Sequence, residues 1–214
     1  MQDRKNISIK ICGMRDAENI LSVASLAPQY LGFIFYTKSP RFVGDDFKIP
    51  SGMPSSIKRV GVFVNDSNET ILNKSKSLGL DLVQLHGNET PLQCEELKST
   101  ELGVIKVFSI DDDFHFDKTK AYKEVVDYFL FDTKGKHYGG NARTFDWKIL
   151  NQYDQEIPFF LSGGLSPENI SSLGDILKMN LHALDLNSGV EISPGLKDPA
   201  KIKTVVASLK HQNS

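Results

Sequence analysis

Cysteine is scarce in this chain, with only Cys12 and Cys94 among 214 residues. Two thiols are too few for a disulfide framework, and their spacing matches no metal-ligand pattern, so a reducing compartment is the simpler setting. Long apolar runs are missing as well. No stretch approaches the roughly 18 residues of a membrane span, and Met1 to Lys10 lacks the apolar centre of a signal peptide; the expectation is a cytoplasmic protein with no membrane partner. Neither sign of charge dominates, with 25 Lys and Arg against 27 Asp and Glu and a net charge of -2. That balance exerts no global pull on nucleic acid, so no nucleic-acid partner is expected and any anion must be held locally. The 40% hydrophobic and 24% charged residues are ordinary globular usage, which excludes wholesale disorder and fibrous repeats.

What the chain does have is a regular beat of short apolar runs: Ile7 to Cys12, Tyr30 to Phe35, Val60 to Val64, Leu82 to His86, Val104 to Phe108, Tyr128 to Asp132, Pro158 to Ser162 and Ala183 to Asn187. Their starts fall roughly 20 to 30 residues apart, too far for hairpins and enough for a strand, a turn and a short helix. Helical segments are read at Ala17 to Leu26, Glu69 to Leu78, Pro91 to Ser99, Lys118 to Val126, Pro167 to Leu177 and Pro199 to Leu209. Ser166-Pro167 and Asp198-Pro199 each place a capping oxygen before a proline in the first turn. The connection Ser39 to Ile57 carries Pro40, Pro50, Gly52 and Pro54, so a degenerate or loop-rich second helix is expected. Eight such units, about 27 residues each and without a linker between them, favour one closed (β/α)8 TIM barrel domain over residues 1–214 rather than an open doubly wound sheet. In such a barrel the chemistry sits where the strands end.

The first strand alternates isoleucines with Ser8, Lys10 and Cys12. If the isoleucines face the helices, Lys10 and Cys12 point inward, with Cys12 at the carboxyl rim above an ammonium that is expected to favour its thiolate. An isolated cysteine reads as a packing residue; the strand end before Gly13 argues for chemistry. The sixth strand closes on Asp132, which alone is as readily a turn former, but opposite a thiol suggests acid–base work across a barrel mouth. Gly163-Gly164 and Ser188-Gly189 follow the seventh and eighth strands, where backbone N–H groups can close on a phosphate, so a small phosphorylated substrate is expected. Gln84 and His86 share a face of the fourth strand; from the residues alone His86 is a hydrogen-bonded structural histidine. Asp185, on the strand that closure sets beside the first, is expected near Lys10 to offset its burial. Arg41 reads by charge alone as a solvated loop residue, and Cys94 as inert packing.

Lys-Ile-Cys-Gly-Met at the first strand, Gly-Phe-Ile-Phe-Tyr-Thr-Lys-Ser-Pro-Arg-Phe-Val from Gly32, Val-Gly-Val-Phe-Val-Asn from Val60 and Gln-Leu-His-Gly from Gln84 resemble the phosphoribosylanthranilate isomerase family. Phe131-Asp132-Thr133, Thr144 to Trp147, Leu161 to Asn169 and Asn187 to Glu191 continue the pattern in order across nearly the whole chain. The resemblance implies a barrel isomerase of tryptophan biosynthesis, performing an Amadori rearrangement of N-(5'-phosphoribosyl)anthranilate without a metal or organic cofactor. It implies Asp132 as general acid, Cys12 as general base, and Arg41 as the holder of the anthranilate carboxylate, which overturns the reading from charge. It further implies a phosphate against Gly163, Gly164, Ser188 and Gly189, and His86 as a substrate contact. The chain departs from the family pattern at Gly139 to Arg143, which leaves the shape of the covering loop Tyr138 to Arg143 open, and at Thr37, where a proline is frequent. Two rivals remain: another phosphosugar isomerase or epimerase on the same barrel, including the histidine-pathway enzyme with its paired aspartates, and a non-catalytic phosphosugar-binding protein. Monomer and homodimer both stay open.

Overall fold

The computed structural model describes residues 7–133 and 147–212, and the loop Tyr138 to Arg143 lies outside them. Eight parallel strands close into a barrel in chain order: β1 (Ser8–Ile11), β2 (Tyr30–Ile34), β3 (Lys58–Phe63), β4 (Leu82–Leu85), β5 (Gly103–Ile110), β6 (Tyr128–Thr133), β7 (Phe159–Ser162) and β8 (Leu181–Leu186). Closure pairs β1 with β8 and sets Lys10 directly opposite Asp185. The open sheet is thereby excluded.

Strand alternation sorts side chains into two layers. Ile7, Ile9 and Ile11 face outward into the core shared with the helices, as the alternation predicts, beside Leu31, Phe33, Val83, Leu85, Phe129 and Phe131. Fully burying such side chains contributes about 1.5–3 kcal/mol each. The barrel interior is filled by Val60, Leu82, Ile105, Leu130, Phe160 and Ala183, with Cys12, Ile34 and Val62 forming a smaller group above.

Four α-helices follow their sequence signals: α1 (Ala17–Ala24), α2 (Asn68–Leu78), α3 (Pro91–Lys98) and α4 (Pro199–Gln212). Asp16, Ser67 and Thr90 cap the first three by accepting from the backbone three residues on, and Asp198 accepts from Ala200 N–H at 2.8 Å below α4. No helix separates β2 from β3, as the prolines require. The segments expected as helices after β5 and β7 are instead 3₁₀ turns, Phe116–Val125 and Ile170–Lys178. The first buries only Thr119 and so lacks an apolar stripe to sustain an α-helix. The second starts three residues later than Ser166-Pro167 suggests and is broken at Gly174, whose φ of 49° and ψ of -118° leave the helical region. A further 3₁₀ stretch at Trp147–Gln152 and a small antiparallel hairpin, β9 (Glu191–Ser193) with β10 (Leu196–Lys197), were not foreseen.

Candidate active site

At the carboxyl ends of the strands a cavity of about 210 Å³ is lined by Cys12, His86, Asp132, Gly163, Gly164 and Ser188, with Gln84, Asp185 and Asn187 on its wall and Ile34 and Val62 as its apolar side. Six of the eight residues singled out from the sequence therefore meet in one place. Arg41 and Gly189 flank it: Gly189 lies so near Leu165 that a Cβ would come 2.1 Å from its carbonyl oxygen, which locks the two glycine loops together. A larger depression, about 920 Å³, opens at the opposite end of the barrel around Tyr30, Lys58, Asp81, Lys98 and Asp127. Four of its charges are paired with one another, Lys58 with Asp81 at 3.0 Å and Lys98 with Asp127 at 3.7 Å, and neither cysteine lines it.

Cys12 sits one residue past β1 and is 3% exposed. Its sulfur fits because β2 carries glycine opposite it: a Cβ on Gly32 would lie 2.8 Å from Sγ. Gly13, at φ +76°, turns the chain where a side chain would strike Arg41 and Asn187. Below the thiol, the fully buried Lys10 donates to both Asp185 oxygens at 2.9 Å and to Gln84 Oε1 at 2.8 Å. Burial pulls the Lys10 ammonium down, but Asp185 and the Cys12 sulfur more than offset it, and its pKa lies above the ordinary lysine value. Burial also pushes the Asp185 carboxyl up against the pull of Lys10; the ammonium's three short contacts keep the proton on Lys10. The expected pairing of Lys10 with Asp185 is present. The expected depression of the thiol is not: burial pushes Cys12 up, and Lys10 and Lys197 pull it back only in part.

Asp132 enters from β6 with its side chain 30% exposed, and His86 Nε2 stands 3.6 Å from its Oδ2. His86 Nδ1 lies 3.2 Å from Gln84 Nε2. The turn that carries His86 is braced from outside the barrel, where Lys106 on β5 donates to Glu89 at 2.7 Å and to Gly87 O at 2.8 Å, while Glu89 accepts from Gly87 and Asn65 N–H groups. Arg41 is not a free loop cation. Its Nε and Nη2 donate to the two Glu191 oxygens at 2.8 and 2.7 Å, leaving the Nη1 edge of the guanidinium for another anion. Glu191 is shared with Lys197 Nζ at 2.6 Å and Gly195 N–H at 3.0 Å, and Lys197 also donates to Asn187 Oδ1 at 2.7 Å. Although burial pushes the Glu191 carboxyl up, these donors bring it down to about 2. The buried partners Glu191, Lys197, Glu89 and Lys106 were missed from the sequence; only Lys106, a lone charge inside the apolar run Val104 to Phe108, carried a signal there. Cys94 is buried in α3 with its thiol pushed up to about 11 by burial, as inert packing requires.

The fold and the site define a single-domain (β/α)8 barrel that sets a buried thiol and a carboxylate, separated by β7 and β8 along the wall, at one polar cavity beside two glycine loops. The family model for N-(5'-phosphoribosyl)anthranilate isomerase matches residues 9–208. An N-(5'-phosphoribosyl)anthranilate isomerase of Phocaeicola vulgatus is 46% identical over 204 residues, covering 95% of this chain and 98% of that relative. Among solved structures, the phosphoribosyl anthranilate isomerase of Thermotoga maritima superposes with a TM-score of 0.82 at 34% identity, covering 96% of this chain and 100% of the other. A second, phosphoribosyl anthranilate isomerase in complex with reduced 1-(o-carboxyphenylamino)-1-deoxyribulose 5-phosphate, gives 0.79 at 31% identity with the same coverage. This chain belongs to the N-(5'-phosphoribosyl)anthranilate isomerase family.

Proposed function

We propose that this chain isomerises N-(5'-phosphoribosyl)anthranilate to 1-(2-carboxyphenylamino)-1-deoxyribulose 5-phosphate in tryptophan biosynthesis, in the cytoplasm, and that it does so with its own side chains. The single observation that carries the reading is the meeting of Cys12 and Asp132 at one cavity that Gly163, Gly164 and Ser188 also line. Asp132, in its acid form, protonates the ribose ring oxygen; the ring C1'–O bond breaks and the nitrogen lone pair leaves a protonated Schiff base at C1'. The Cys12 thiolate then takes the C2' proton, the electron pair moves into the C1'–C2' bond, and the resulting enolamine tautomerises to the ketone. The two groups change protonation in opposite directions, and exchange with solvent returns the proton from Cys12 to Asp132 after product forms, so the substrate is isomerised without net gain or loss of atoms and both groups regain their starting forms.

Burial sets the order of difficulty. The thiol holds its proton in the free site, so base strength is reached only in the minority thiolate form or as positive charge develops beside it at C1'. Backbone N–H groups of the two glycine loops receive the phosphate, and the outer edge of Arg41 receives the anthranilate carboxylate, its other edge fixed by Glu191. The paired-aspartate rival is disfavoured by the thiol at the first strand end, and a purely binding role by the acid–thiol pair, which binding does not need. Purified protein should convert phosphoribosylanthranilate without added metal, followed as loss of the fluorescence of the anthranilate-bearing substrate; absence of turnover by folded protein refutes the reading.

A further inference from the structure

The polar chain beneath the cavity has a direction that can be worked out donor by donor. Lys10 has an ammonium and no acceptor, so the Gln84 atom it meets at 2.8 Å is the amide oxygen. That places the Gln84 NH₂ group against His86 Nδ1 at 3.2 Å. An NH₂ group can only donate, so Nδ1 must present its lone pair, and the single proton of a neutral imidazole sits on Nε2, the nitrogen that faces Asp132 Oδ2 at 3.6 Å. A second proton on Nδ1 would set donor against donor.

We infer that Lys10 and Gln84 are positioning residues that lock His86 as its Nε2–H tautomer, so that His86 can only donate toward Asp132 and cannot take its proton. The consequence rests on Asp132 acting as the general acid. With the lock in place, Oδ2 faces an N–H, the acid proton resides on Oδ1, and the carboxylate that remains after proton transfer keeps a donor beside it. With the opposite tautomer, the Nε2 lone pair faces the acid and competes with the substrate ring oxygen for the same proton. The separation of 3.6 Å is just beyond hydrogen-bond reach in the free site, and catalytic contacts of this kind tighten when substrate fills the cavity.

The test reads the tautomer itself. In ¹⁵N-labelled full-length protein at neutral pH, long-range ¹H–¹⁵N spectra, with the His86 signals identified by their loss in His86→Asn, should show a bare Nδ1 and a protonated Nε2. Gln84→Glu, whose carboxylate can only accept, should transfer the proton to Nδ1 and lower kcat about tenfold or more with KM within about threefold. Gln84→Met, whose thioether has no donor and accepts only weakly, should give a mixture of tautomers and an intermediate kcat. An Nδ1-protonated ring in the unmodified protein, or an unchanged tautomer in both variants, overturns the lock. The spectra stand apart from the assignment of the acid: full activity in Asp132→Asn with the expected tautomer refutes the acid role and leaves the lock intact, while the wrong tautomer with an inactive Asp132→Asn refutes the lock alone.

Discussion

Replacing Glu191 by glutamine should lower stability by about 3 kcal/mol at neutral pH, and the penalty should shrink in acid. Glu191 is 9% exposed and holds together Arg41, Lys197 and the Gly195 N–H. Its carboxyl is brought to about 2 from an ordinary 4.5. At roughly 1.4 kcal/mol per pH unit, that depression is worth about 3 kcal/mol wherever the carboxylate is ionised in both folded and unfolded chains. Because the folded value is the lower one, the contribution is complete above pH 4.5 and is lost as pH falls toward 2. Integrating the two titrations leaves it about 2 kcal/mol smaller at pH 3 than at pH 7. Lys197, already pulled down by burial, can shed its proton when its partner is neutralised, which keeps the cost nearer 3 kcal/mol than the upper range for a broken buried pair. Urea unfolding of both proteins at pH 7, 5, 4 and 3 gives the difference directly. A gap below about 1 kcal/mol at pH 7, or one that does not change with pH, refutes the reasoning.

Other expectations follow from the same contacts. Gly32→Ala places a methyl group 2.8 Å from Cys12 Sγ and 3.1 Å from its Cα; it should cost about 1–3 kcal/mol in stability and lower kcat more than it raises KM, and an unaltered kcat would count against the sulfur's placement. Alkylation of Cys12 by iodoacetamide should keep accelerating past pH 9, since burial raises the thiol above its ordinary 9.0; a rate already level near neutrality would show a depressed thiol instead. Arg41→Ala should weaken binding of the carboxylated product or its reduced analogue by about 10- to 100-fold, the worth of one or two charge-assisted hydrogen bonds, and unchanged affinity in a titration would remove the carboxylate clamp.

How much of this was legible in the sequence depends on whether the signal was local. β1 could be read residue by residue because strict alternation in Ile7 to Cys12 fixes which face is which, and closure then placed Lys10 against Asp185 without any contact information. The second connection was readable from its prolines. The 3₁₀ segments were not, because a short run of mixed residues such as Phe116–Val125 satisfies a helical pattern as well as it does a tighter turn, and only the absence of a buried stripe decides. The thiol's direction was misjudged for a related reason. Lys10 is visible in sequence beside Cys12, whereas the extent of burial around the sulfur is a property of eight converging strands. Glu191 and Lys197, six positions apart, meet through the β9–β10 hairpin, and Arg41 arrives from 150 residues away; no periodicity encodes such a meeting. The direction of the chain Lys10–Gln84–His86 became readable only once distances fixed which amide atom met the ammonium.

The measurement that bears most directly on the central claim is single-turnover conversion of phosphoribosylanthranilate by the unmodified protein, Cys12→Ala and Asp132→Asn, each verified as folded by its unfolding transition. The unmodified chain should convert the substrate and either variant should lose at least about 100-fold, the scale of a positioned general acid or base. Near-normal conversion by either variant would contradict the role given to that side chain, and no conversion by the folded unmodified protein would contradict the whole assignment.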